Sequence, residues 1–191
     1  MHRKRLLDQL CAHQPYDARE AAKLQELREF VEANAGCFDR SLRAGHITGS
    51  AWILDLERTH VLLTHHLKLE RWLQLGGHAD GNPDVLQVAL SEAKEESGLL
   101  EVSPISEAIF DVDVHLIPAR GPEPCHLHYD VRFLLQADRN HPLTVTHESK
   151  ALAWVKLTAV ENLNAEASLL RMVAKTIEST AIESTANVRR P

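Results

Sequence analysis

Apolar residues near the start of the chain recur at the spacing of an α-helix. One stripe of this kind predicts an amphipathic helix over residues 17–34, and its members are Leu24, Leu27 and Val31. Asp17 is placed to cap the first turn of this helix, and Glu20 completes a capping box with it. A shorter helix is predicted over residues 3–12.

From residue 47 onward the pattern changes to runs of apolar and β-branched residues, which are typical of strands. Strands are predicted over 47–56 and 60–64, with a tight connection at 57–59, and a short strand is predicted over 71–75. Residues 76–83 contain three glycines, a proline and an Asp-Gly step, and this composition predicts a loop.

An acidic helix is predicted directly after this loop. Asp84 is placed to cap its N-terminus, and Gly98 ends it in the left-handed conformation that glycine favours. Helical geometry brings Glu92 close to Glu95 and Glu96, which follow it by three and four positions. Three carboxylates therefore crowd the C-terminal turn, where the helix dipole is also negative. A bound divalent cation would relieve this repulsion, and a solvated acidic face is the alternative.

Two alternating runs follow, and their period of two predicts a pair of half-buried strands. In the first run the apolar positions are Phe110, Val112, Val114 and Leu116, and the polar ones are Asp111, Asp113 and His115. In the second run, over residues 126–135, the polar positions are His126, His128, Asp130 and Arg132. If the two polar faces coincide, they form either a substrate floor, with a His/Asp metal site as a variant, or a solvated sheet face.

The remaining segments complete one mixed α/β domain. A last strand is predicted over 151–157 and a closing helix over 165–178. The domain is expected to span residues 1–180, with a helical region over 1–45. Residues 181–191 are expected to form a flexible tail, because a short polar repeat leads into them.

Composition narrows the function classes. The net charge of −6 argues against electrostatic binding of a nucleic acid polymer as the main activity. No apolar run is long enough to span a bilayer, and Asp8 and Gln9 interrupt the short apolar start, so neither a membrane span nor a signal peptide is expected. The scattered cysteines favour free thiols in a reducing, cytoplasmic setting, and they are Cys11, Cys37 and Cys125.

Several motifs together resemble the Nudix hydrolases. Gly77, followed after a loop by Glu92-Ala93-x-Glu95-Glu96-x-Gly98-Leu99, is similar to the Nudix box. Three further segments resemble strands of the family, the first two in one bacterial-type subgroup, and they are residues 65–81, 126–133 and 148–154. The resemblance covers residues 47–157.

The resemblance implies an α/β/α sandwich with a mixed, curved sheet between helices. It implies hydrolysis of a diphosphate linkage in a nucleoside-diphosphate-linked small molecule, with Mg²⁺ or Mn²⁺ as cofactor. The implied metal ligands are Glu92, Glu95, Glu96 and the Gly76 carbonyl, and the base is Glu95, Glu96 or Glu148. Candidate substrate contacts are Lys68, Gly77, His78, His126, His128 and Asp130. Many relatives are dimers, so a homodimer is an open alternative to a monomer.

Two positions depart from the Nudix box. Pro83 stands where the box has its first glutamate, with Asp84 as the nearest carboxylate, and Ser91 stands where the box has an arginine. One alternative is therefore a Nudix-fold module that binds nucleotides but is catalytically weak. A second is a Nudix-fold isomerase of isoprenoid diphosphates, which would need a cysteine in its pocket, and Cys125 is the candidate.

Overall fold

The computed structural model describes residues 2–119, 121, 124–147 and 149–188 of the chain. Within these residues the α-helices are α1 (Lys4–Ala12), α2 (Ala18–Ala33), α3 (Val85–Ser97) and α4 (Ala167–Val188). The strands are β1 (Gly45–Asp55), β2 (His60–His66), β3 (Arg71–Leu73), β4 (Leu75–His78), β5 (Ser103–Ile117), β6 (His126–Ala137) and β7 (Ser149–Lys156). A 3₁₀ helix (Leu157–Asn162) follows β7.

All seven strands belong to one mixed sheet. Its main order is β3-β2-β1-β6-β5, while β4 pairs with β1 and β7 pairs with β2. β1 and β6 run parallel from the pair Gly45–Leu127 to the pair Asp55–Ala137. β1 therefore lies at the centre of the sheet, with β4 and β6 on either side of its first half.

Helices cover both faces of this sheet. One apolar core joins the sheet to α1, α2 and α3, and it includes Leu27, Ala89 and Val131. A second core joins the other face to α4, and it includes Trp52 and Met172. The three layers form an α/β/α sandwich, which confirms the predicted fold class.

The caps predicted at the helix ends are confirmed. The Asp17 carboxylate accepts the backbone N–H of Glu20 at 2.7 Å, so Asp17 caps α2 as predicted. Glu20 departs from the predicted capping box, because its carboxylate accepts the backbone N–H of Tyr16 at 2.6 Å. The Asp84 carboxylate accepts the backbone N–H of Gln87 at 3.2 Å at the start of α3. Gly98 ends α3 with a φ of 74°, a conformation that favours glycine.

Two element boundaries differ from the sequence-based prediction. The loop prediction is wrong for Gly76–His78, because these residues form β4 together with Leu75 and pair antiparallel with residues 48–51 of β1. This pairing uses backbone groups, so it does not require β-forming side chains. The last helix is also longer, since α4 extends to Val188, into the segment for which a flexible tail is predicted. In the described ranges, no helix has the length and the apolar run that a membrane crossing demands.

An irregularity in β5 changes which residues share a face. Ile109 pairs with Phe133 and Asp111 with Arg132, so β5 advances by two residues while β6 advances by one. The extra residue, Phe110, therefore packs with the α4-side core. The expectation that Phe110 shares a face with the valines of β5 is wrong for this reason.

The polar positions of β5 and β6 do coincide. The register pairs Asp111 with Arg132, Asp113 with Asp130 and His115 with His128. The alternative of a solvated face is wrong for the four charged residues, because their exposed fractions are 8% or less; they are Asp111, Asp113, Asp130 and Arg132. α4 contributes to this burial through Arg171 and Lys175, which both contact Asp111.

Candidate functional site

The acidic helix α3 lies directly against β1 and β4. A Cβ added at Gly49 would lie 2.8 Å from the carbonyl oxygen of Val85 and 3.1 Å from the Val88 Cβ. A Cβ added at Gly77 would lie 2.3 Å from Glu92 Oε1. A side chain at Gly49 would push α3 away from the sheet, so this glycine sets the position of the acidic helix. A side chain at Gly77 would instead displace the Glu92 carboxylate, so this glycine leaves room for it.

Two glutamates of α3 lie beside the glycine pair of β4. Glu96 is 7% exposed, and its carboxylate accepts the backbone N–H of Gly76 at 3.1 Å. Glu92, one turn earlier, is half-buried and lies next to Gly77. We call these four residues the carboxylate site. The helical spacing of the two glutamates predicts this convergence.

The other predicted catalytic residues are placed differently. Glu95 is exposed, so the structure brings two of the three predicted carboxylates to β4 and leaves the third at the surface. Glu148 lies outside the described residues. Lys68 is exposed in the connection between β2 and β3.

The two departures from the box have local consequences. Ser91 accepts a hydrogen bond from the side chain of Gln87 at 3.3 Å. Asp84, the carboxylate nearest to Pro83, caps α3 and forms an ion pair with Arg5. The Asp84 carboxylate is therefore held at the opposite end of α3 from the carboxylate site.

The donor set of the carboxylate site fits a hard divalent cation. Carboxylate and backbone oxygens are the ligands that Mg²⁺ and Mn²⁺ prefer. Glu92 and Glu96 are like charges at i,i+4 near the negative end of a helix, an arrangement that is unfavourable by itself. The structure nevertheless keeps both against one strand, and a divalent cation would balance their charge.

A second group of titratable residues lies at the end of β4. We call it the histidine cluster, and it consists of His46 on β1, His78 on β4, and His126 and His128 on β6. His46 and His128 are register partners, and the His46 ring centroid lies 4.9 Å from those of His78, His126 and His128. Three predicted substrate contacts are thus brought together, around a histidine that the sequence-based prediction had missed.

Burial determines the protonation state of His46 and His128. It is the main cause that lowers the pKa of His46 to about 4 and that of His128 to about 2, and neighbouring histidines lower both further. Both imidazoles are therefore neutral at pH 7, and each keeps one nitrogen lone pair.

Asp130, another predicted substrate contact, lies on β6 on the same sheet face as the histidine cluster. It is 1% exposed, and its carboxylate accepts hydrogen bonds from Thr48 at 2.9 Å, Ser50 at 2.7 Å and Arg132 at 2.7 Å. Gln74 donates a fourth at 3.3 Å. Asp130 is thus satisfied from within the protein and ties β6 to β1.

Arg132 continues these contacts into a buried ion-pair network. It contacts Asp111 at 3.1 Å, and the same carboxylate accepts from Arg171 at 2.8 Å and from Lys175 at 2.9 Å. Burial opposes the charge of Arg132, but its three carboxylate partners raise its pKa above the ordinary value. The sequence-based prediction missed both α4 cations, since their contacts are long-range.

His46 lies one residue before the strand that the sequence predicts, which begins at Ile47. His46, Thr48 and Ser50 occupy alternate positions of β1, and this polar strip is the sequence signal that points to His46. Cys125, the cysteine of the isomerase alternative, is exposed just before β6.

Neither a family model nor a curated protein matches the chain. An Ap4A hydrolase binary complex from C. elegans is similar in structure, with 18% identity and a TM-score of 0.58 over 71% of this chain and 97% of that one. RenU, a Nudix hydrolase from M. smegmatis, has 19% identity and a TM-score of 0.53 over 72% of this chain and 88% of that one. The NUDIX domain of Shewanella oneidensis NrtR, complexed with ADP ribose, has 13% identity and a TM-score of 0.51 over 80% of this chain and 97% of that one. At these identities the similarity is one of fold.

Proposed function

The chain has the fold of the Nudix hydrolases, and from this premise we propose that it hydrolyses a diphosphate linkage in a nucleoside-diphosphate-linked small molecule, with Mg²⁺ or Mn²⁺ as cofactor. The observation that carries the proposal is the placement of Glu92 and Glu96 against the glycine pair of β4. Two of the similar structures, an Ap4A hydrolase and a domain complexed with ADP ribose, support a nucleotide-linked substrate.

Each residue of the site would have its own role in binding the cation or the substrate. Glu92 and Glu96, with the Gly76 carbonyl, would hold the cation, which when bound would neutralise phosphate charge and orient a water. The Gly76 N–H fixes the Glu96 carboxylate, because it donates directly to one carboxylate oxygen. Lys68 is exposed and can approach a phosphate, while the substrate floor would be formed by Gly77, His78, His126 and His128. Asp130 would take no part in this floor, because it is 1% exposed and accepts its hydrogen bonds from within the protein.

The reaction is an attack of water oxygen on one phosphorus. A new P–O bond forms, the bond from phosphorus to the bridging oxygen breaks, and the second phosphate leaves with the bridging oxygen. The water proton passes to a glutamate within hydrogen-bond reach, and the candidates are Glu95, Glu96 and Glu148.

The substitution Glu96→Gln tests the proposal, because it removes a carboxylate charge and keeps the side-chain shape. A panel containing ADP ribose and Ap4A, incubated with Mg²⁺ or Mn²⁺, would be read out by product mass. We expect kcat to fall by about 100-fold or more in this variant. The exposed Glu101→Gln is the matched control and should retain full activity. Equal activity of Glu96→Gln and wild type would overturn the proposal.

Ser91 favours one second candidate, a Nudix-fold module that binds nucleotides but turns them over weakly. Its side chain bonds to Gln87 and lacks the charge of the box arginine. Calorimetric binding of ADP ribose without any product in the panel would favour this candidate over the hydrolase.

All three cysteines are free thiols, as predicted, while the cytoplasmic setting and the homodimer stay predictions.

A further inference from the structure

The histidine cluster brings three imidazoles from three adjacent strands to one point. His46, His78 and His128 each offer one ring nitrogen, and these nitrogens all lie within 4.8 Å of one another. The nitrogens around one tetrahedral Zn²⁺ lie about 3.4 Å apart, given Zn–N bonds of about 2.0–2.1 Å. Small rotations of the three side chains would close this gap.

His46 is the least satisfied member of the cluster. It is 2% exposed, and among the described residues neither of its ring nitrogens has a hydrogen-bond partner. Buried polar groups in folded proteins are normally paired, so such an imidazole indicates a ligand that its lone pair would bind. Asp130, on the same sheet face, accepts four hydrogen bonds, so His46 differs in this respect from its polar neighbour.

The hydrogen bonds of His126 indicate how His128 is oriented. His126 Nδ1 lies 2.9 Å from the Pro124 carbonyl oxygen, which can only accept, so Nδ1 carries the proton. His126 Nε2 is then an acceptor and lies 3.2 Å from His128 Nε2. His128 therefore donates through Nε2 and keeps its lone pair on Nδ1. This arrangement resembles the outer partners that orient metal-binding histidines.

We propose that His46, His78 and His128 bind one divalent transition-metal ion, with Zn²⁺ as the ion that fits best, at a site separate from the carboxylate site. Neutral imidazoles suit Zn²⁺ and related ions, whereas Mg²⁺ prefers oxygen. Three protein ligands leave a fourth position for water or a substrate atom. The ion would also clamp β4 to β1 and β6.

Titration of the metal-free protein tests this site without reference to catalysis. The full chain, treated with a chelator and kept in excess Mg²⁺, would be titrated with Zn²⁺ in a calorimeter. We expect one Zn²⁺ per chain in the wild type. His46→Leu should lower the affinity by at least about 100-fold, since loss of even an outer partner costs up to that much. The exposed His141→Ala is the matched control and should bind as the wild type does.

Two results would overturn the inference. One is a wild-type chain that takes up no Zn²⁺ under these conditions. The other is a folded His46→Leu variant that binds with wild-type affinity, which would place the ion elsewhere. If circular dichroism shows that His46→Leu is unfolded, the half-buried His78→Ala takes its place with the same expected loss. The inference does not depend on the proposed hydrolase activity, because every readout is metal binding.

Discussion

The carboxylate site and the histidine cluster lie along the same four-residue strand, yet they offer opposite ligands. Gly76 and Gly77 of β4 contact the glutamates of α3, and the next residue, His78, joins the imidazoles of β1 and β6. The first site presents oxygen donors with negative charge, and the second presents neutral nitrogen donors. One strand can thus serve two ions, because hard and borderline cations are sorted by donor type.

The ion-pair network shares a sheet face with the histidine cluster, whereas Glu92 lies against Gly77 on the face that α3 covers. Asp130 binds Thr48 and Ser50, which are the register partners of His78 and Gly76 on β1. The network fills its own hydrogen-bonding capacity, whereas His46 does not. This difference at His46 is the observation on which the proposed zinc site rests.

The largest expected effect concerns the ion-pair network around Arg132. Arg132→Met should destabilise the protein by about 3–5 kcal/mol, because it removes the guanidinium partner of the buried carboxylates of Asp113 and Asp130. Urea unfolding would measure the loss, and the exposed Arg43→Met should change stability little. A loss below about 1 kcal/mol would show that the network contributes little to the stability of the fold.

The second prediction tests whether the two sites are independent. Glu96→Gln should lower kcat by about 100-fold or more while Zn²⁺ affinity stays within about twofold of wild type. Calorimetry and product analysis on one preparation would give both numbers. A parallel loss of Zn²⁺ binding would show that the carboxylate site and the histidine cluster act as a single site.

The third prediction concerns the clamp formed by the histidine cluster. At a free Zn²⁺ concentration 100 times the Kd, the wild type should gain about 2.7 kcal/mol of stability. Thermal melting with Zn²⁺, and with Mg²⁺ as comparison, would detect this gain. Equal stabilisation of His46→Leu would contradict the assignment of the ligands.

The fourth prediction concerns the stability of the fold in acid, to which the Glu20 carboxylate contributes. Burial alone would raise the pKa of Glu20, but hydrogen bonds with His13 and Lys175 lower it to about 2. A lowered pKa stabilises the fold above the unfolded value near 4.5, and this contribution is lost as the pH falls toward 2. It amounts to about 3 kcal/mol.

Glu20→Gln should therefore cost most stability above pH 5, and its difference from wild type should shrink between pH 4.5 and pH 2. Urea unfolding at several pH values would follow this change. Glu29→Gln, an exposed position on the same helix, is the control. A difference that stays constant with pH would show that Glu20 is not the group responsible.

The elements that could be predicted from the sequence are those with local causes. The caps at Asp17 and Asp84, the end of α3 at Gly98, and the close spacing of Glu92 and Glu96 depend only on nearby residues.

What could not be predicted depends on distant partners. β4 is a strand because β1 pairs with it, although two of its four residues are glycines. The polar face is buried because Arg171 and Lys175 of α4 meet Asp111 across 60 or more positions of sequence. The outward placement of Glu95 likewise depends on how α3 lies on the sheet.

The most direct test of the central claim is hydrolysis in ¹⁸O-labelled water. The claim is that Glu92 and Glu96, held against the glycine pair of β4, direct water to a phosphorus atom. With Mg²⁺ or Mn²⁺ and a nucleotide-linked diphosphate such as ADP ribose, mass spectrometry should find one ¹⁸O in a phosphate product, and Glu96→Gln should form almost none. Nucleotide binding without any labelled product across the panel, or equal labelling by Glu96→Gln, would contradict the account.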